Sequence, residues 1–440
     1  MTADRPRTTF TFEGRRIHAW AGQSIASALL ANNVRILTRS FKLHRPRGYM
    51  CGIDACPNCP LTVDGLPGVT SCVTPVRGGE DVRRERGWPS ARWDAFSLAN
   101  AGARFLGAGF QFRHFARHPR LSAAFERILG EVAGAHRFPE SAAARRVHTP
   151  VTRRREADVV VVGGGLSGCT AALASAQAGA RTILVQRDVL GGRARFHPAT
   201  QTTAEETISD LTASRVTLLE GTAVGVFDGL VAVTSQSHLD EISAKALVVA
   251  TGSYDVPLAF AGNDRPGVLL ATGVRRLLHL EGVAPGTRAV VVTDRADGYH
   301  LAAELRQARV PVATVVDSSR DATIDRVVGR GRVRAVDVRE FGRRRRIRCD
   351  LLCIAMGERP ADELLLQRQY AAAGDPMLIA KNWRPAPDFD GRLTDSSWVI
   401  GSAAGWEGPE VARATRVGTD VGAFVTYRRG DDASVLPFAP

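Results

Sequence analysis

The run from 158 to 188 constrains this chain most. It reads as an apolar stretch DVVVV, a turn Gly163-Gly164-Gly165-Leu166-Ser167-Gly168, a small-residue stretch CTAALASAQAG and a second apolar stretch RTILVQRD. Strand, turn, helix and strand in that order form a βαβ unit, which implies a parallel sheet with a helix packed on it. Gly163 suits the tight turn, Gly165 lets the backbone approach a pyrophosphate, and Gly168 permits close helix–strand packing. The helix start adds free N–H groups and a partial positive charge. A GxGxxG alone is a weak signal, but here it has the strand before it and the helix after it, so a bound nucleotide or dinucleotide is expected. The second strand should end in an acid for the ribose hydroxyls, yet Gln186 stands there with Arg187 next. An amide bonds a hydroxyl more weakly than a carboxylate does, which leaves the identity of the nucleotide open.

Four of the seven cysteines form the pattern Cys51-x4-Cys56-x2-Cys59-x12-Cys72, the plant-type ligand spacing of a [2Fe–2S] cluster. Three thiols share one short loop, with small Gly52 and Ala55 letting N–H groups near the sulfurs, and Cys72 follows the strand LTVDG. A four-thiolate zinc site and buried free thiols are the competing readings. Zinc ribbons prefer two CxxC pairs, and only one is present. Pro57 has no N–H for a sulfur, and Pro60 directly follows the third ligand; neither removes a ligand.

Gly191-Gly192-Arg193, and Ala250-Thr251-Gly252 at a strand end, recur in flavoproteins with two dinucleotide domains. A second unit of this type is expected at 288–317, as strand RAVVVT, helix GYHLAAELRQA and strand PVATVVD. Its loop carries Asp294 and Asp297 where a phosphate would sit, and carboxylates at a helix N-terminus repel a pyrophosphate and take the positive end themselves. That argues against NAD(P)H as the electron source here.

With 440 residues and 44% hydrophobic content, about three domains with sizeable cores are expected. Residues 1–87 read as an α+β domain, and 88–150 as a helical connector rich in aromatic, Arg and His residues. Residues 151–262 with 356–440 form the dinucleotide-binding domain, enclosing a second Rossmann-like domain at 263–355. The aromatic–basic interleaving of the connector fits packing between domains better than base stacking. The net charge of +13 rests on 55 arginines against Lys42, Lys245 and Lys381. These arginines are scattered, with Arg153 to Arg155 expected in a linker and Arg343 to Arg346 between strands. Without a recognised binding module this argues against nucleic acid and favours an anionic partner surface. No signal-like segment and no apolar run near the ~18 residues needed for a bilayer span occur, which makes cytoplasm the default location. No HExxH or GxSxG occurs, and the ten histidines are dispersed; Cys169, Cys349 and Cys353 read as buried small hydrophobes.

The chain resembles the alpha-type subunits of heteromeric sarcosine oxidase, opine oxidase, D-hydroxyproline and proline dehydrogenases, and hydrogen cyanide synthase. The resemblance lies in GQSIASALLANNV, RSFKLHRPRGYMC and SCVTPVRGG, in GAGFQFRHF, in VVVVGGGLSG, in VVATGSYDVPLAFAGNDRPGVLLATGVRRLL and in LLCIAMGERP. It implies an α/β flavoprotein fold with two Rossmann-like dinucleotide-binding domains, preceded by an α+β ferredoxin-like [2Fe–2S] domain. Sarcosine oxidase alpha subunits continue into a folate-binding half beyond the point where this sequence stops, so the likeness is to a ferredoxin-like subunit fused to a nucleotide-binding one. By resemblance, Cys51, Cys56, Cys59 and Cys72 match cluster ligands, and Gly163, Gly165 and Gly168 the pyrophosphate loop. Gln186 stands where many relatives have an acid, and Gly401-Ser402 where related flavoproteins often have Gly-Asp. The domain's ligand is expected to be FAD, then NAD, then ATP, with FMN an option at a subunit interface. The implied role is the electron-transfer subunit of a hetero-oligomer, in which a flavoprotein beta subunit of the glycine/sarcosine-oxidase type oxidises a C–N bond. An independent NAD(P)H-linked reductase and a non-redox scaffold are the alternatives.

Overall fold

A computed structural model describes residues 5–100, 151–367 and 391–427, apart from 42, 228, 236–237, 395 and 407–410, together with 120, 123 and 130. Most of the 88–150 connector, including Phe105, Phe110, His114, His118 and His136, therefore lies outside the described residues. The chain divides into two compact units, one within Met1–Arg146 and Asp255–Gly357, the other within Val147–Tyr254 and Glu358–Pro440.

In the first unit, strands β1 (Arg7–Phe12) and β2 (Arg15–Trp20) form a hairpin. Helix α1 (Ile25–Ala31) follows, capped by the Ser24 side chain on the Ser27 N–H. Its Ile25 to Leu29 are all buried, so this short helix is enclosed on every side and held by packing. Strands β3 (Pro60–Val63), β4 (Leu66–Thr70) and β5 (Asp81–Arg84) complete a sheet of order β2-β1-β5-β3-β4. The start of the connector is tied back to this domain: buried Asp94 accepts from the N–H groups of Trp88 and Phe96 and lies 2.7 Å from His44 Nδ1.

The second unit is built on β6 (Val151–Val162), α2 (Leu166–Gln177) and β7 (Thr182–Gln186), then α3 (Gln201–Thr212), β8 (Thr217–Glu220), β9 (Thr222–Phe227), β10 (Leu230–Thr234) and β11 (His238–Val249). Their order is β8-β7-β6-β11-β10-β9. Val159, Val160 and Val161 are fully buried, as expected of a central parallel strand covered on both faces. The structure corrects the linker expected at Arg153 to Arg155. These residues extend β6, pairing with Asp240 to Ile242 of β11, and Arg155 Nε donates to Asp240 Oδ1 at 2.6 Å. Cross-strand charge pairing lets an arginine run continue a strand past the core.

Within the first unit, β12 (Val268–Leu270), α4 (Ala271–Arg275), β13 (Ala289–Thr293), α5 (Ala296–Gln307) and β14 (Val312–Asp317) precede a three-stranded antiparallel sheet of β15 (Ala322–Val328), β16 (Ala335–Glu340) and β17 (Arg343–Arg348). Strand β18 (Leu351–Ala355) returns to give the parallel order β12-β18-β13-β14. Arg343 to Arg346 are thus a strand and not the connection expected between strands, held by Arg346–Asp337 and Arg345–Glu340 pairs. The chain then rejoins the second unit through β19 (Arg392–Thr394) and β20 (Ser397–Val399), with β20 parallel to β11, and ends its described course in α6 (Val411–Tyr427). A Cβ on Gly418 would meet the Ala171 carbonyl at 2.4 Å. Only a glycine there lets α6 lie against α2, and Ser175 Oγ donates to the Gly418 carbonyl at 2.9 Å.

Candidate functional site

The four-cysteine loop is assembled by short-range hydrogen bonds. Gly52 and Asp54 take left-handed φ values of 73° and 57°, curling the loop so that the Ala55 N–H points at Cys51 Sγ, 3.3 Å away. Ser71 Oγ donates to the Cys59 carbonyl at 2.6 Å, joining the third cysteine to the turn that carries the fourth. Cys51, Cys59 and Cys72 are buried and Cys56 half-buried, all as free thiols. Side-chain contacts run from Cys56 to Cys51, from Cys51 to Cys72 and from Cys72 to Cys59. The Cys51 thiol is held well below the usual range, first by the contact from Cys56 and then by that from Cys72, against the opposing effect of burial. Cys56 and Cys72 are pushed up, first by donating to Cys51. Among the described residues no three His, Cys, Asp or Glu side chains converge on a single ion position. The four sulfurs form a chain of contacts, a donor set of the kind that holds a metal centre. The loop rests on the start of α4: Leu270 N–H donates to the Met50 carbonyl at 3.1 Å, and a Cβ on Gly273 would stand 2.4 Å from that carbonyl oxygen.

In the second unit the glycine turn forms as its spacing predicts. Gly163 has φ +108°, and a Cβ there would come within 2.2 Å of the Ala250 carbonyl. A Cβ on Gly168 would fall 1.9 Å from the Gly163 carbonyl, whereas around Gly165 there is open space. Gly165 is the N-cap of α2 and offers no side chain to the helix N–H groups, which leaves them for an anion. Gly191 N–H donates to the Gly164 carbonyl at 2.7 Å, and a Cβ on Gly192 would meet Gly165 at 3.1 Å, so this second glycine pair braces the first. Gly401, with φ +65°, would carry a Cβ 2.7 Å from Ser167 Oγ. Ala250 N–H donates to the Val162 carbonyl; Thr251 Oγ1 bonds the Ala361 carbonyl at 2.6 Å, and Ala361 N–H donates to Gly252. Gln186 turns into the loop: its Oε1 accepts from Gly164 N–H at 2.6 Å and its Nε2 donates to the Val189 carbonyl at 2.9 Å. Arg187 is exposed, and Arg193 is drawn to Ser253 at 2.8 Å and to Glu358. Sequence reasoning missed Ser253, Glu358 and Ala361, whose roles depend on distant segments meeting.

The corresponding turn after β13 is filled by the chain itself. Arg275 Nη2 and Nη1 donate to the Asp297 carboxylate at 2.7 and 3.1 Å, and its Nε donates to Glu304 at 3.0 Å. Arg295 pairs with Asp294, and its guanidinium lies where a Cβ of Gly357 would be, 2.4 Å away. Buried Cys169 is raised to about 11 and Cys349 to about 12, chiefly by desolvation, and Cys353 is raised by the same cause.

Comparison with known proteins matches residues 5–87 to the family described as 2Fe-2S iron-sulfur cluster binding domain, and residues 157–316 to pyridine nucleotide-disulphide oxidoreductase. The chain is 33% identical to sarcosine oxidase subunit alpha of Rhizobium meliloti (strain 1021) over 85% of its own length and 41% of that protein's, and so spans about two fifths of this relative. Over 18% of its length it is 32% identical to 77% of the hydrogen cyanide synthase subunit HcnA of Pseudomonas aeruginosa. The crystal structure of L-proline dehydrogenase from P. horikoshii superposes with a TM-score of 0.70 at 25% identity, over 99% of this chain and 76% of that one. The fold is therefore a ferredoxin-like domain followed by a Rossmann-like oxidoreductase fold, as the sequence reading expects.

Proposed function

Because this chain belongs to the family of sarcosine oxidase alpha subunits and their relatives, we propose that it is the electron-transfer subunit of a heteromeric flavin-dependent amino-acid or amine dehydrogenase or oxidase. In this reading a partner flavoprotein subunit of the glycine/sarcosine-oxidase type removes two electrons from a substrate C–N bond, in the sarcosine, proline, hydroxyproline, opine or glycine class. Cys51, Cys56, Cys59 and Cys72 would hold a [2Fe–2S] cluster. The contact chain among their sulfurs and the Ala55 N–H directed at Cys51 fit that group. FAD would lie on the loop of Gly163, Gly164, Gly165, Ser167 and Gly168, with Gly191, Gly192, Gly401 and the Ala250-Thr251-Gly252 turn around it. The open space at Gly165 and the uncapped start of α2 fit its pyrophosphate. NAD or ATP would make the same backbone contacts, and FMN belongs to an interface with a partner. When bound, the cluster supplies one-electron and the flavin one- or two-electron chemistry. The chain's own residues supply the rest: N–H groups aimed at sulfur and phosphate, burial of three of the four thiols, and Gln186 bracing the glycine turn.

The observation that carries this reading is the filled turn of the nested unit, the β12–β18 part of the first unit, which the chain inserts between the two segments of the second. Asp297 in the first turn of α5, paired with Arg275, puts a carboxylate at the helix end where a nicotinamide dinucleotide would set its phosphates, which supports electrons entering from a partner rather than from NAD(P)H. Gentle affinity isolation from the native host, with mass spectrometry of what accompanies the chain, tests it. A stoichiometric flavoprotein of the glycine-oxidase type is expected. A coloured protein that comes out alone and is reduced by NADH would make it a self-contained reductase. A colourless protein without iron would make it a scaffold.

A further inference from the structure

Tyr49, two residues before the first cysteine, is 4% exposed, and its hydroxyl is buried with no hydrogen-bond partner among the described residues. A buried hydroxyl left unpaired is destabilising and calls for a reason. Its position is specific. A Cβ on Gly52 would lie 2.5 Å from the Tyr49 oxygen, so the phenol reaches back over the cysteine loop, and the left-handed glycine at 52 makes room for it. Arg276, Cys72, Glu281 and Cys51 all act on it electrostatically. Glu281 is already engaged: its Oε2 accepts from Ser24 N–H and Ser27 Oγ, both at 3.1 Å, and its Oε1 faces Arg276 at 3.5 Å. Among the described residues no side-chain or backbone acceptor takes the phenol proton, which leaves it for a group held by the cysteine loop.

We propose that the Tyr49 hydroxyl donates a hydrogen bond to a sulfur of the cluster on its Cys51–Cys72 side and thereby sets the cluster's reduction potential. The inference rests on the [2Fe–2S] reading above. Reduction adds one negative charge to the cluster, and a donor to sulfur stabilises the more negative state more, so the bond raises the potential. The oxygen is the only atom the proposal needs, so Tyr49→Phe keeps the ring in the core and removes the donor.

The test is a dithionite titration of the full chain followed by electron paramagnetic resonance, for wild type, for Tyr49→Phe and for the chain carrying 3-fluorotyrosine at position 49, with iron and acid-labile sulfide measured alongside. At equal cluster content the midpoint is expected to move down in Tyr49→Phe. It should move up with 3-fluorotyrosine, a stronger donor of nearly the same shape. If Tyr49→Phe fails to hold iron, the fluorinated chain decides alone. A loaded variant with the wild-type midpoint overturns the Tyr49 assignment and leaves the cluster reading intact. A wild type without a [2Fe–2S] signal overturns both.

Discussion

At the end of β6 the chain turns through Gly163 and leaves the space beside Gly165 open, whereas at the end of β13 the same kind of turn is filled by Asp297 and Arg295. The local architecture is otherwise shared. Each turn follows a buried valine-rich strand and leads into a helix without a side-chain N-cap, α2 in one case and α5 in the other. Each helix is brought close to its strand by a glycine, Gly168 or Gly298, whose added Cβ would meet a neighbour at 1.9 or 2.2 Å. A βαβ fold thus keeps its packing with a carboxylate at the helix head, because the glycine that packs helix on strand is separable from the residues that leave room for an anion. In the nested unit the positive end of α5 is satisfied from within, by Asp297 in its first turn.

The largest expected effect breaks that internal satisfaction. Arg275 is buried between Asp297 and buried Glu304, so Arg275→Met strands two carboxylates and is expected to destabilise the nested unit by about 3–5 kcal/mol. His279 Nε2, 2.9 Å from Glu304 Oε2, is placed to soften the loss. Denaturant unfolding of the full chain measures it, with bound flavin counted in the same sample. Flavin content should not change. A variant as stable as wild type would mean that Arg275 does not hold the plug.

A pair of glycine substitutions sharpens the contrast with a smaller effect. Gly168→Ala and Gly298→Ala each overpack a helix against its strand and should each cost about 1–3 kcal/mol. Only Gly168→Ala displaces the turn that faces open space, so only it should lower the flavin-to-protein ratio of the purified chain. Equal flavin loss in both variants would mean that stability alone governs retention and that the two turns are not functionally different.

What was legible in the sequence was local. The cysteine spacing and the GxGxxG turn act over a few residues: the glycine turn has the geometry its pattern predicts, and the cysteine loop is drawn together by local hydrogen bonds. The acidic loop of the nested unit was legible too, but its partner was not: Arg275 precedes Asp297 on a different element, and nothing in the spacing joins them. Gln186 shows the limit differently. Its position read as a ribose contact, yet the amide has both a donor and an acceptor, and it bonds Val189 and Gly164 at once, which a carboxylate does not do. The arginine runs misled for a physical reason. A run of charge reads as a solvated loop, but Arg155, Arg345 and Arg346 lie opposite acids on neighbouring strands, and pairing across a sheet needs both strands in view. The orphaned Tyr49 hydroxyl has no sequence signal at all.

The smallest expected effect lies on that charged sheet, where the nested unit again satisfies its own charges. Asp337 accepts from Arg346 Nε and Arg326 Nε, each at 2.7 Å. Its carboxyl is lowered to about 2, first by the Arg346 hydrogen bonds. A carboxyl whose folded value lies below its unfolded value of about 3.9 adds stability that is fully present above pH ~4 and is lost as pH falls toward ~2. The arginines stand largely in solvent, so screening holds the contribution to about 0.2–1 kcal/mol. Wild type should therefore exceed Asp337→Asn in stability by that margin at pH 5, and the gap should close between pH ~4 and ~2 or in molar salt. A gap independent of pH and salt would mean that Asp337 contributes by shape and not by charge. The nested unit would then owe its self-sufficiency to the buried Arg275 network, and the open and filled turns would differ by that one network.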